Sequence, residues 1–160
     1  MPPLFTLEPG EEQVVRVGML TEADPSVERS YRMFVTELAS PQPEEQTTSG
    51  IKMRLQFGLP VFVAPAALPS ASLDYFDSMR IDGQFFMHLR NSGNTHVKIS
   101  EVQYLAPGKE EPVSAPAVIY ILARQTGYVS VELPGDAVEG KVTLVTDTLG
   151  SLEYELSPSS

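Results

Sequence analysis

Residues that commonly carry enzyme chemistry are few in this chain of 160 residues, which has two histidines and no cysteine. His88 and His96 lie in or beside different predicted strands, and neither has a second histidine or an acidic residue at a spacing that suits zinc. The acidic pairs at 44–45 and 110–111 lie in predicted loops, where adjacent carboxylates do not converge as a catalytic pair must. No G-x-S-x-G, P-loop or G-x-G-x-x-G motif is present. We therefore expect no enzyme activity, no metal and no cofactor, unless a histidine converges on a carboxylate in a closed polar pocket.

Composition narrows the remaining classes of function. The formal net charge is −10, from 21 acidic and 11 basic residues, so a nucleic-acid binder, which needs a basic surface, is not expected. No apolar run is long enough to span a membrane, and the segment MPPLFTLEPG lacks the basic and apolar regions of a signal peptide. The absence of cysteine excludes disulfides and thiolate chemistry but leaves the compartment open.

The most informative stretch is 51–63, IKMRLQFGLPVFV, in which every odd-numbered residue is apolar. A period of two places alternate side chains on opposite faces of an extended chain, so this pattern predicts one long strand with an apolar face. Pro60 cannot donate a ladder hydrogen bond and therefore favours an edge position. Such a strand is either covered by its own fold or offered to another protein.

The elements before this strand form only half of a domain. We predict short strands at 4–7 and 13–17, separated by a Pro-Gly turn, and a largely buried strand at 29–38 that neighbours the strand 51–63. The intervening polar run 39–50 contains no side chain that could anchor it, so a mobile loop is expected. Four strands expose an apolar face that needs a second sheet to cover it.

The second half has the pattern of a complete immunoglobulin-like sandwich. A Pro-, Ala- and Ser-rich segment at 64–72 is a plausible linker. About seven short strands follow it, with turns every 8–12 residues, and no stretch has helical periodicity. Their predicted ranges are 73–81, 84–90, 97–105, 117–123, 128–133, 141–146 and 152–157. The sequence thus predicts an all-β protein, with an incomplete immunoglobulin-like unit at 1–64 and a complete one at 65–160.

Several segments resemble, in order and spacing, one family. PPLFTLEPGEEQVVRV, ERSYRMFVTELA and GIKMRLQFGLPVFVAP resemble the second half of the N-terminal domain of periplasmic pilus-assembly chaperones of the chaperone–usher pathway. QFFMHLRNSGNTHVKISEVQYL, YILARQTGYVSVELPG and VTLVTDTLGSLEYEL resemble the second domain of that family. The archaic, or spore-coat-protein-U, type is the variant that the chain resembles most.

The resemblance implies a function for the strand 51–63. In the family, this strand is lent to a pilus subunit whose own sandwich lacks its final strand, a form of β-augmentation. The matching donor residues are Ile51, Met53, Leu55, Phe57 and Leu59. The implied partners are pilus or fimbrial subunits and an outer-membrane usher, and the implied location is the periplasm.

Two departures from the family pattern shape the expectations. About three strands that precede PPLF in the family are absent, which predicts a truncated gene or fragment and a homodimer, or higher oligomer, that completes the half domain. The family's pair of basic residues that grip the subunit's terminal carboxylate has no match here, so no carboxylate-binding residue is assigned. The alternative function is a structural or adhesive sandwich module that self-associates through its edge strand and has no chaperone activity.

Overall fold

The structure, a computed structural model, describes residues 4–38, 53–133, 135, 137 and 139–156, and these contain strands but no helix. No segment of this described part could therefore cross a membrane as a helix. The predicted all-β class is confirmed. The strands, in chain order, are β1 Arg29–Thr36, β2 Gln56–Val63, β3 Leu73–Ile81, β4 Gln84–Asn91, β5 Val97–Leu105, β6 Val113–Ile121, β7 Thr126–Val131, β8 Gly140–Thr146 and β9 Ser151–Leu156.

Strands β3 to β9 form an immunoglobulin-like sandwich of two antiparallel sheets. One sheet has the order β3-β4-β7 and the other the order β6-β5-β8-β9. With the seven strands lettered A to G, these are A-B-E and D-C-F-G, so the fourth strand pairs with C, whereas in constant-type domains it pairs with E. All seven strands predicted for this half are present, although the one predicted at 117–123 begins at Val113. Pro116 does not end it, because β6 is an edge strand and Pro116 lies beside a register shift in its pairing with β5.

The sandwich encloses the hydrophobic core. In β4 and β8 buried side chains alternate with more exposed ones, as a strand between core and solvent requires, and in β5 the same alternation shifts by one residue between Ile99 and Glu101. Both sheets contribute, so the core is a single layer between them. Its fully buried members are Met87, Leu89, Val97, Ile99, Val129, Val142 and Leu144.

Tyrosine hydroxyl groups connect parts of the sandwich that are distant in sequence. Tyr154 Oη in β9 donates to the carbonyl oxygen of Leu73 at 2.9 Å and so links the two sheets. Burial, with a smaller contribution from the charge of Asp74, raises the pKa of Tyr154 to about 12. Tyr104 Oη donates to the carbonyl oxygen of Glu139 at 2.7 Å, and burial of this phenol also raises its pKa.

Strands β1 and β2 form a separate two-stranded antiparallel sheet, and we call 29–38 together with 53–63 the ribbon. The predicted pairing of these two segments is confirmed, with Met33 opposite Leu59 and Val35 opposite Phe57. The prediction that 29–38 is largely buried is wrong, because no second sheet within the described residues covers the ribbon.

Three other predictions for the first half differ from the structure. The segments 4–7 and 13–17 are not strands, since neither has a ladder partner among the described residues. The predicted turn between them is present, with Gly10 at φ 85° and the Glu11 N–H donating to the Glu8 carbonyl oxygen at 3.0 Å. The long strand is shorter than predicted, because its ladder begins at Gln56. The expected loop at 39–50 lies outside the described residues.

Candidate functional site: the exposed apolar ribbon

Four of the five predicted donor residues lie on one face of the ribbon. Phe57 and Leu59 belong to β2, and Met53 and Leu55 lie in the extended segment directly before it. Ile51 lies outside the described residues. Because residues two apart in a strand point to the same side, these odd-numbered side chains share a face.

This odd face is exposed along its length. The exposed fractions are 75% for Met53, 52% for Leu55, 56% for Phe57 and 44% for Leu59. Val61, further along the strand, is half-buried where the ribbon approaches the sandwich. A soluble protein rarely leaves a continuous apolar row uncovered, and such a row is typical of an interaction surface.

Strand β1 enlarges the same face, which sequence reasoning did not assign to the site. Tyr31 lies opposite Val61, Met33 opposite Leu59 and Val35 opposite Phe57. Side chains of directly opposed residues in an antiparallel pair project to the same side and contact each other. The alternation of apolar residues in 29–38 is the signal for this face in the sequence, but it predicts a buried strand and an exposed one equally well. The candidate surface is therefore two strands wide.

The main chain of β2 offers an open edge beside this face. The Glu37 N–H donates to the Leu55 carbonyl oxygen at 2.8 Å, so the odd-numbered residues of β2 direct their amides toward β1. The amides of Gln56 and Gly58 then point away from β1, and no other strand among the described residues pairs with them. Pro60 falls in this outward row, where its missing N–H leaves the β1–β2 ladder intact.

The even-numbered face of the ribbon has a different character. Its β2 residues are Gln56, Gly58, Pro60 and Phe62. The ring of Phe34, on β1, lies over Gly58, where a Cβ atom would be 3.3 Å from the Phe34 Cε1 atom. Phe34 is 58% exposed, nearly the same as Phe57 on the opposite face. The two phenylalanines therefore form a matched pair that differs mainly in the face of the ribbon.

Charged groups lie at both ends of the ribbon. Glu37 Oε2 accepts the Leu55 N–H at 3.1 Å, which extends the pairing beyond the strand. Before β1, the Asp24 carboxylate accepts the Ser26 N–H at 2.9 Å and lies 3.6 Å from Arg29. The hydrogen bond from the Ser26 amide is the main cause of a lowered pKa for Asp24. Arg54 is exposed, whereas Lys52, the other basic residue of this segment, lies outside the described residues.

Each histidine lies next to a carboxylate, a contact that the sequence did not indicate. His88 Nδ1 is 3.1 Å from Asp77 Oδ1, and His96 Nδ1 is 2.7 Å from Glu28 Oε1. Neither pair lines the surface hollows found among the described residues, one beside 105–109 and the other between β6 and β7. Over the same residues, no three metal-binding side chains come together.

Comparison with known proteins gives two findings. No curated protein matches the chain. Among solved structures, the class 5 fimbriae chaperone CfaA aligns with 84% of this chain at 13% sequence identity and a TM-score of 0.48. The chain spans 61% of the length of that protein.

The family comparison concerns the part of the chain that carries the ribbon. Residues 1–69 match the family model described as pili and flagellar-assembly chaperone, PapD N-terminal domain. Proteins of this family are non-enzymatic assembly chaperones. The match does not distinguish subtypes, so the archaic type stays a prediction. The match covers less than half of the chain, so what it shows is that the segment that contains the ribbon is similar to the family of pili and flagellar-assembly chaperones.

Proposed function

We propose that this protein is a periplasmic chaperone for pilus or fimbrial subunits and that it acts by donor-strand complementation through the strand 51–63. In this mechanism, an incoming sheet pairs with the main chain of the lent strand while alternate side chains fill its open groove. The observation that carries the proposal is the odd face of the ribbon, an exposed apolar row directly beside an open strand edge. The family match of residues 1–69 supports it independently.

The exposed fractions set the energy available to this interaction. For Met53, Leu55, Phe57 and Leu59 together they amount to slightly more than two complete side chains. At about 1.5–3 kcal/mol for each side chain fully removed from water, their burial contributes roughly 3–7 kcal/mol before the costs of association and ordering. Main-chain hydrogen bonds at the open edge, and a buried Ile51, would add to this. After the costs of association are subtracted from this gain, the net binding free energy leaves the complex reversible, as release of a subunit requires.

The proposal includes three further assignments. The partners are pilus subunits that lack their final strand, together with an outer-membrane usher that receives them. The location is the periplasm, as for other chaperones of the family. A second copy of the chain covers the odd face when no subunit is bound, because the exposed row would otherwise remain in water. Sedimentation tests this last assignment, and a monomer at high concentration, with the ribbon ordered, would contradict it.

The direct test places a charge on one face of the ribbon at a time. Leu55→Glu and Phe57→Glu should abolish recovery of a co-expressed pilus subunit that lacks its final strand, because a buried, unpaired carboxylate is strongly unfavourable. Phe34→Glu is the matched control, since Phe34 is equally exposed but lies on the even face. Equal recovery with all three variants would rule out donor-strand complementation through this face.

The exposed ribbon also favours a second candidate function, a structural or adhesive module that self-associates through β2. An open edge with an apolar face can pair with its own copy as readily as with a client. Under this alternative, Phe57→Glu would convert an oligomer to a monomer, and no truncated subunit would be recovered by the unaltered chain. Under the chaperone function, the subunit displaces the second copy and a complex with one copy of each chain forms.

A further inference from the structure

Hydrogen bonds join the base of the ribbon to the loop 91–96 of the sandwich, between β4 and β5. Glu28, the residue before β1, donates its main-chain N–H to the Asn94 carbonyl oxygen at 2.9 Å. Its Oε1 atom accepts the main-chain N–H of His96 at 3.0 Å and lies 2.7 Å from His96 Nδ1. The side chains of Glu28 and His96 are only 7% and 18% exposed, which shields this pair from solvent.

Strand β2 of the ribbon contacts the same imidazole through an aromatic ring. The ring of Phe62, near the end of β2, stacks on His96 with a centroid distance of 3.6 Å and an interplanar angle of 16°. Tyr120 of β6 completes the cluster, at 5.4 Å from Phe62 and 5.7 Å from His96. His96 is thus contacted by β2 and by the residue that precedes β1. The start of β1 and the end of β2 are therefore both held by one side chain of the sandwich.

The loop that carries His96 is itself held firmly. Asn91 is fully buried, and its side chain donates to the carbonyl oxygens of Thr95 and Ile121, at 2.8 and 3.0 Å, and accepts the Gly93 N–H at 2.9 Å. A Cβ atom on Gly93 would lie 2.3 Å from the Ser70 carbonyl oxygen, so only glycine fits there. The loop therefore has a fixed position relative to the sandwich.

A second set of bonds ties this loop to the segment between the ribbon and β3. Asn94 Oδ1 accepts the Ser70 N–H at 2.7 Å, and the Asn94 N–H donates to the Ser70 carbonyl oxygen at 2.8 Å. Asn94 Nδ2 donates to the Leu68 carbonyl oxygen at 3.1 Å. The segment predicted as a linker is therefore hydrogen-bonded to the sandwich close to its junction with β3. Between residue 68 and the ribbon, the Ala67 N–H also donates to the Pro25 carbonyl oxygen at 2.9 Å. The Glu28–His96–Phe62 cluster bridges that interval.

We propose that His96 is a positioning residue that fixes the direction in which the ribbon projects from the sandwich. A ribbon held in one direction presents the odd face without the ordering cost that a freely swinging one would incur on binding. The consequence for subunit capture depends on the proposed chaperone function, whereas the positioning role does not. The stack with Phe62 and the hydrogen bond to Glu28 are two separable contributions to it.

The test measures the direction of the ribbon in the full chain without any client. The chain has no cysteine, so the pair Thr36→Cys and Lys109→Cys, at exposed sites on the ribbon and on the sandwich, can be spin-labelled specifically. The labelled chain is diluted into an excess of unlabelled chain, so that pulsed electron paramagnetic resonance gives the distribution of distances between the two labels within one copy. His96→Ala, which loses both contacts, should broaden this distribution most. His96→Phe retains the stack alone, and Glu28→Ala removes the carboxylate without altering the sandwich, so each should broaden the distribution less.

His88→Ala is the matched control. His88 also contacts a carboxylate, that of Asp77, and stacks on an aromatic ring, that of Tyr128, at a centroid distance of 4.6 Å. All of these residues belong to the sheet β3-β4-β7, so removal of His88 should leave the distribution of distances unchanged. An equally broad distribution in the His88 and His96 variants would indicate general loosening and overturn the proposal.

Capture of a pilus subunit gives a second readout. We expect His96→Ala and Glu28→Ala to weaken capture about tenfold, the effect of losing roughly 1.4 kcal/mol of pre-organisation. If His96→Ala fails to fold, Glu28→Ala and Phe62→Ala each remove one of its two contacts and supply the distance measurement instead. An unchanged distribution of distances in both of these variants would overturn the positioning role, whatever happens to capture. Failure of the Phe57→Glu test would instead remove the chaperone function and leave the measured distances to decide the role of His96.

Discussion

Alanine substitution along the odd face gives a graded test of donor-strand complementation. If the side chains of the ribbon enter a groove, each one loses the area that it now exposes, and truncation removes the corresponding gain. Phe57 is 56% exposed and Leu59 is 44% exposed. We expect Phe57→Ala to weaken capture of a truncated pilus subunit by about 1–2 kcal/mol, or about five- to thirtyfold in Kd. For the smaller and less exposed Leu59, the loss should be about 0.7–1.3 kcal/mol, or roughly three- to ninefold.

The assay titrates a fluorescently labelled subunit, diluted from denaturant, with each variant and follows the anisotropy of the complex. Phe34→Ala should change the Kd less than about twofold, because Phe34 lies on the even face. The double variant Phe57→Ala/Leu59→Ala should depart from additivity, since neighbouring anchors share one groove. Equal losses at Phe34 and Phe57 would refute the assignment of faces, and the absence of any loss at Phe57 and Leu59 would refute the use of the ribbon as a donor.

Three further predictions concern the sandwich. Gly93→Ala should lower the free energy of unfolding by about 1–3 kcal/mol in urea denaturation, because its Cβ atom would lie 2.3 Å from the Ser70 carbonyl oxygen. Leu89→Ala should cost about 2–5 kcal/mol in the same assay, since Leu89 is fully buried. The pKa of Tyr154 is about 12 in the folded chain, above that of an unfolded tyrosine, so its neutral phenol stabilises the fold. This stability is fully present below about pH 10 and is lost as the pH rises to about 12. The loss should be about 1–2 kcal/mol after allowance for the partial exposure of the phenol. Thermal unfolding measured at a series of pH values should show this loss in the unaltered chain and a smaller one in Tyr154→Phe.

The sandwich was predictable from sequence because its signals are local. Alternation with a period of two, interrupted by Gly-, Pro- and Asn-rich turns, specifies strands wherever one side of each strand faces a core. The ranges predicted for β3 and β5 agree with the structure at both ends. The late start predicted for β6 has a specific cause, since Pro116 ends a central strand but is tolerated in an edge strand beside a register shift.

The first half was harder to predict because alternation does not say what covers the apolar side. The pattern of 29–38 indicates one apolar face equally well for a buried strand and for an exposed one. The strands predicted at 4–7 and 13–17 required a partner, and propensity cannot supply one. The candidate donor face was predictable from the period in 51–63, whereas the contact between Glu28 and His96, which are 68 residues apart in sequence, left no trace in any local pattern.

The position of Pro60 has a consequence for the solubility of the chain. An apolar strand with an open edge is the kind of segment that stacks into cross-β fibrils, in which every backbone group pairs with a copy above and a copy below. Pro60 lies in the outward row of β2 and has no amide to donate, so a stacked copy would leave an acceptor unpaired in each layer. The open edge can thus pair over the few residues before Pro60 with one partner, but it cannot extend without interruption through an unlimited array. Pro60 thus allows pairing with a single partner while opposing growth of a fibril from this strand.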